Sequence, residues 1–115
     1  MKHVMRLNDS PFNMIKSGRK TIELRLYDEK RRLIVVGDEI EFVHSKEPNK
    51  ALLCRVVALH VFASFDELYN NLSLLQCGYT ENDILSASPN DMNVYYTKEK
   101  QKEYGVIGIE IELLS

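Results

Sequence analysis

Lys20, Glu23 and Arg25 stand close together in the run SGRKTIELRLYDEKRR (residues 17–32). Residues two apart in a strand share one face, so Glu23 and Arg25 are near enough to pair with each other or to flank one ligand. Arginine offers a planar fork of donors that fits a phosphate or a base edge and stacks on a ring. Glutamate accepts hydrogen bonds from amino groups of the kind found on cytosine N4. Lys20, at the strand entrance, adds a point charge. The trio suits a nucleobase with an attached phosphate. The plainer alternative is a solvated strand face whose ion pair is worth about 0–1 kcal/mol.

Four neighbours extend this candidate site. Tyr27 has the parity of Glu23 and Arg25 and could stack on a base. Lys30 and Arg31, with Arg32, could widen a positive rim, although such a cluster alone reads as a solvated face. Tyr95 and Tyr96 are adjacent, so in extended structure they face opposite ways. Core packing accounts for both, or one of them, with Tyr96 the candidate, becomes a stacking platform.

Other chemistries find less support. Cys54 and Cys77 form no C-x-x-C pair, and no Cys/His cluster has zinc spacing, so no metal site and no cofactor is expected. Cys54 reads as a small core residue and Cys77 as a loop thiol. His3, His44 and His60 are isolated, and His60 reads as a satisfied strand residue. There is no Gly-rich phosphate loop, Ser/His/Asp series or HExxH.

The 115 residues suit one compact domain, residues 1–115, and lack both the apolar run of a membrane span and the h-region of a secretory signal, so a cytoplasmic protein is expected. The net charge of −2 hides an asymmetry: residues 1–32 hold nine Lys and Arg against four Asp and Glu, and the remainder holds six against thirteen. A protein that coats long nucleic acid is usually basic overall, whereas a local basic patch for one short anionic ligand fits this distribution.

The elements that must position these residues follow from pattern. DSPFNMIKSG reads as a short helix with Ser10 as N-cap, Pro11 at the first helical position and Gly18 past its end. Thr21 to Tyr27 reads as a strand with Ile22, Leu24 and Leu26 toward the core and Glu23, Arg25 and Tyr27 opposite. LIVVGDEIEFVH approaches the core again around a Gly37-Asp38 turn. ALLCRVVALHVF predicts one long strand or a bent pair. Ser64 and Glu67 have capping-box spacing before a helix, and Thr80 with Asp83 repeats the pattern. SASPNDMN reads as irregular, a charged helix is expected from near Thr97, and YGVIGIEIELL closes as a strand. The sum is an α+β domain on a small, partly closed β-barrel of five to six strands, with short helices inserted.

The run IKSGRKTIELRLYDEKRRLIVVGDEIEF resembles the signature of the ASCH domain, G-x-K-x-x-E-x-R followed by a Gly-Asp turn and a strand. Gly18, Lys20, Glu23, Arg25, Gly37 and Asp38 occupy its positions, and the SFDELY and C-terminal segments are similar to bacterial members. The resemblance implies a PUA-like β-barrel that binds RNA or a nucleotide-like ligand in a cleft beside the motif. It also implies an alternative, since some small members are amidohydrolases acting on N4-acetylcytidine and others are reported as ribonucleases. The amidohydrolases use a lysine, which Lys20 matches, a threonine three residues later, which is Glu23 here, and a glutamate from the helical region, for which Gln76 or Glu81 are the candidates. A carboxylate cannot replace that hydroxyl in acyl transfer without a mixed anhydride. Binding of RNA, a nucleotide or a modified nucleoside is therefore the leading expectation.

Overall fold

The computed structural model describes residues Met1–Ser115. Its first strand, β1 (Lys2–Leu7), is hidden in the sequence by the charges of its opening, yet Met5 and Leu7 alternate inward along it. The chain then enters α1 (Asp9–Lys16), which buries Phe12 and Ile15 on one side. This helix begins two residues ahead of the expected start, with Asn8 in place of Ser10 extended at the N-cap position and Pro11 third in the helix instead of first. Gly18 stops it with φ 81°, a conformation that costs glycine little.

β2 (Ile22–Leu26) follows, and then Arg31–Leu33 forms a single 3-10 turn. The run 33–38 is not strand. Asp38 accepts from the Val35 amide and pairs with His3, so the Gly-Asp turn is a hydrogen-bonded corner leading into β3 (Glu39–His44). β4 (Ala51–Phe62) is long and irregular between Val56 and Ala58, the bend that its length demands. α2 (Phe65–Asn71) is capped by Ser64, which accepts from the Glu67 amide. Thr80 and Asp83 make a hydrogen-bonded turn instead of a helix start, and Pro89–Val94, expected to be irregular, is a 3-10 segment capped by Ser88. Thr97 caps α3 (Lys98–Tyr104), which leads through Gly105 into β5 (Val106–Leu113).

The five strands form one sheet in the order β1-β3-β4-β5-β2, with β1 and β3 parallel and the other pairs antiparallel. The sheet curls into a half-barrel with short helices, an α+β fold at the lower end of the expected strand number. Its interior holds Phe42, Ile40, Cys54, Val56, Ile107 and Ile109, closed over by Phe12 and Ile15 of α1. A second apolar layer lies on the other side of β2 and β5, where Phe65 and Leu68 of α2, Cys77 and Met92 meet Ile22, Leu24, Leu26 and Val106.

This second layer corrects the expected facing of β2. Glu23 pairs in register with Ile109 and Arg25 with Ile107, and cross-strand partners share a face. The charged residues therefore lie on the barrel-interior side, and Ile22, Leu24 and Leu26 point outward under α2. The alternation is present, but both faces of β2 are covered, so polarity alone does not say which face is wet. Gly108 lets the layers meet closely: a Cβ there would lie 2.7 Å from Leu72 Cδ1 and 3.1 Å from Ile22 Cγ2.

Candidate functional site

β1 and β2 are the two edges of the sheet, and the curl leaves a seam between them. Arg25 bridges it: its Nη2 donates to the Arg6 carbonyl on β1 at 2.9 Å. That carbonyl is free because β1 turns its odd-numbered residues toward β3, as the bonds from Glu39 N–H to Met1 O and from Ser45 N–H to Leu7 O require. A side chain therefore closes the half-barrel where a full barrel would have a backbone ladder.

Glu23 fixes Arg25 in this position. Arg25 Nε donates to Glu23 Oε2 at 2.8 Å, with Nη2 2.7 Å from the same oxygen, and Lys20 Nζ lies 2.8 Å from Oε1. Both carboxylate oxygens are thus engaged, and Glu23 is only 4% exposed. Burial pushes its carboxyl upward, but Lys20 and Arg25 together outweigh burial and hold the pKa below its ordinary value. Burial likewise opposes the Arg25 charge, and the Glu23 carboxylate overcomes it, leaving that pKa raised. Two cations share one anion, a net positive charge at the seam. Arg25 Nη1 has no partner within the protein.

The loop after α2 holds the start of β2 from the side. The Gln76 carbonyl accepts from both the Thr21 and the Ile22 amides, at 2.9 and 3.0 Å. Gly78, at φ 115°, passes directly over Lys20, whose Cδ would lie 3.3 Å from a Cβ at that position. Cys77 lies in this loop, as expected, but is buried there, and burial raises its thiol to about 11. That thiol stays protonated near neutral pH and is a poor nucleophile.

A cavity of about 600 Å³ opens at the seam, within the range of small-molecule sites. One wall is cationic: Arg6, Lys20 and Arg25, with Glu23 between the last two. Arg6 is exposed and takes part in no ion pair. The facing wall is aromatic and acidic, built from Tyr69, Tyr79, Tyr95 and Tyr96 with Asp83 and Asp91. A hydrogen-bonded chain organises it: the Tyr69 and Tyr79 hydroxyls lie 2.7 Å apart, and Tyr79 donates to Asp91 Oδ2 at 2.6 Å. Burial and then the Asp91 contact push the Tyr79 phenol up, while that same hydrogen bond holds the Asp91 carboxyl down. Near pH 7 the Tyr79 phenol therefore stays neutral and Asp91 stays a carboxylate.

Of the residues singled out from sequence, Lys20, Glu23, Arg25 and Tyr96 line this cavity. Tyr96 is half-buried and stacks on Phe65 at an interplanar angle of 16°, whereas Tyr95 is 67% exposed at the mouth. Tyr27, Lys30 and Arg31 lie elsewhere. Tyr27 packs against the barrel interior under the Arg32 guanidinium, 4.3 Å from its ring centroid. Arg31 turns back to Asp28, and Lys30 is exposed at the start of the 3-10 turn. Gln76 contributes its carbonyl to the scaffold, and Glu81 is exposed outside the cavity; the carboxylates that do line it are Asp83 and Asp91. Arg6, Tyr79 and Asp91 were missed because each comes from an element the sequence left unassigned. The S-x-x-D spacing of Ser88 and Asp91 was the available signal for the last. No three His, Cys, Asp or Glu side chains gather as metal ligands, and no helix is long and apolar enough to cross a membrane.

A curled α+β half-barrel with a cleft at its open seam defines a class of small barrel domains. The chain belongs to the ASCH domain family, whose model matches residues 5–115. It is similar to the crystal structure of the hypothetical protein PH0355 at 36% identity and TM-score 0.82, covering 99% of this chain and 100% of that one. It is also similar to the solution structure of protein PF0455 from Pyrococcus furiosus, at 38% identity and TM-score 0.76 over 100% and 99% of the two chains. The ASCH protein of Zymomonas mobilis shares the fold, with TM-score 0.68 at 13% identity over 96% of this chain and 66% of that one. No curated protein matches the chain.

Proposed function

We propose that this chain is a binding module that holds RNA, a nucleotide or a modified nucleoside in the seam cleft. The observation that carries the reading is the charge arrangement on the strand wall: Lys20 and Arg25 share one carboxylate, and Arg6 beside them has none. Two positive charges in excess on the strand wall suit a phosphate, and the tyrosines of the facing wall, which also carries Asp83 and Asp91, suit the attached base. Membership in the ASCH domain family, which is generally linked to RNA binding, supports the same reading.

In this reading Glu23 is a positioning residue. Its oxygens are spent on Lys20 and Arg25, so it sets the direction of those cations and does not read a base itself. The hydrolase alternative needs a nucleophile where Glu23 stands, and an ionised carboxylate held between two cations does not supply the hydroxyl chemistry.

Fluorescence titration with labelled single-stranded RNA, and calorimetry with cytidine 5′-monophosphate, test the proposal. Arg6→Ala and Lys20→Ala are each expected to weaken binding about tenfold, the effect of losing one charge-assisted contact. Undiminished binding in both variants would overturn the cleft assignment. Incubation with N4-acetylcytidine is expected to release no cytidine; turnover would replace the binding reading with the hydrolase one.

A further inference from the structure

Leu24 lines the cavity together with Glu23 and Arg25, although its side chain points to the opposite face of β2 and is 7% exposed. Three consecutive strand residues can border one cavity only if the cavity looks at the strand edge-on. The hydrogen-bond alternation agrees. Ile111 N–H bonds to Thr21 O and Tyr27 N–H to Gly105 O, so the odd-numbered residues of β2 face β5. The even-numbered residues face away from it, as the bond from Ile22 N–H to the Gln76 carbonyl confirms. Past Gln76, the next outward main-chain pair is the N–H and C=O of Leu24. The strand that would satisfy them in a closed barrel is absent, and across the seam the Arg6 carbonyl is already taken by Arg25.

We infer that the Leu24 main-chain N–H and C=O form the base-reading element of the seam cleft, pairing with a nucleobase edge that carries an acceptor beside a donor. This rests on the proposed nucleotide-binding reading and adds to it the part of the ligand that is recognised. Cytosine N3 and N4 have that pattern, as do the Watson–Crick edges of the other bases. The site then has a division of labour: Arg6, Lys20 and Arg25 take the phosphate, and the strand edge takes the base. A main-chain reader requires an unpaired, flat base edge, so the ligand class is a mononucleotide or a single-stranded nucleotide, not a duplex. The aromatic wall with Tyr95 at its mouth offers the ring faces between which such a base would lie.

The test uses the full chain, labelled with nitrogen-15 and titrated with two probes, cytidine 5′-monophosphate and ribose 5-phosphate. The Leu24 amide proton is expected to shift downfield with the nucleotide and to stay in place with the sugar phosphate. A second protein, with leucic acid at position 24, replaces that N–H by an ester oxygen. It is expected to bind the nucleotide about five- to tenfold more weakly and the sugar phosphate unchanged. Because the ester also weakens the Glu23 carbonyl as an acceptor, the first measurement, which alters nothing, guards against a folding defect in the second. Nucleotide binding with an unmoved Leu24 amide would overturn the inference and leave the cleft reading standing. Absence of nucleotide binding to the unaltered chain would overturn both. Protection of the Leu24 amide by an extended peptide but not by the nucleotide would overturn it in favour of strand pairing at the edge.

Discussion

Glu23 holds the site together at the scale of single residues. It is buried, its two oxygens hold Lys20 and Arg25, and through Arg25 it closes the seam onto β1. Glu23→Gln leaves two cations facing a neutral amide, and breaking a buried pair in this way costs about 3–5 kcal/mol. Urea denaturation should show that loss at neutral pH as a lower midpoint with an unchanged slope. The pH dependence has a definite sign. The folded carboxyl lies below its ordinary value, so its contribution is full above the unfolded glutamate pKa of roughly 4.3 and is lost as pH falls through the folded value. The parent should therefore lose more stability on acidification than Glu23→Gln does; parallel acid profiles for the two proteins would contradict the ion-pair account. Lys20, Glu23 and Arg25 were legible in the sequence because strand alternation puts two of them on one face. That all three would be enclosed was not, since enclosure depends on the seam and on the loop at Gln76–Gly78, which lie far away in sequence.

At the scale of elements, one close approach and one hydrogen-bonded chain hold the site's scaffold together. Gly108 in β5 lets Leu72 and Ile22 pack across the strand, and a Cβ there meets Leu72 at 2.7 Å. Gly108→Ala should cost about 1–3 kcal/mol by thermal or urea melting, the usual penalty of overpacking; an unchanged midpoint would mean that the two layers are not tightly packed. The wall opposite the strands depends on the chain from Tyr69 in α2 through Tyr79 to Asp91. Tyr79→Phe removes one hydrogen bond at each side of the phenol and should cost about 1–2 kcal/mol while leaving the strand wall intact. The helices starting after Ser64 and Thr97, and strands β2, β4 and β5, were legible because caps and apolar periods mark them locally. β1 was not, because its polar residues hide the alternation of Met5 and Leu7 and its stability comes from pairing with β3. The 3-10 segment at Pro89–Val94 was not either, since its order comes from Asp91 meeting Tyr79 and the Ser88 amide.

For the whole molecule, a net charge of −2 with few cations at the seam sets how binding should respond to salt. Each phosphate neutralised on a single strand contributes about −0.7 to the slope of log K against log salt. Two to three contacts predict a slope of about −1.5 to −2, whereas an extended basic surface would give a much steeper one. The family's half-barrel was legible in the Gly18-to-Asp38 signature, but the cleft between its two edge strands is a property of sheet order, which no local pattern carries. The most direct test of the account is a nitrogen-15 chemical-shift map of the full chain titrated with a short single-stranded RNA. The account predicts that shifts concentrate at Arg6, Lys20, Leu24, Arg25, Tyr79 and Tyr95 around the seam. Binding that moved only residues remote from the seam, such as those of α3 or the β3–β4 turn, would contradict it.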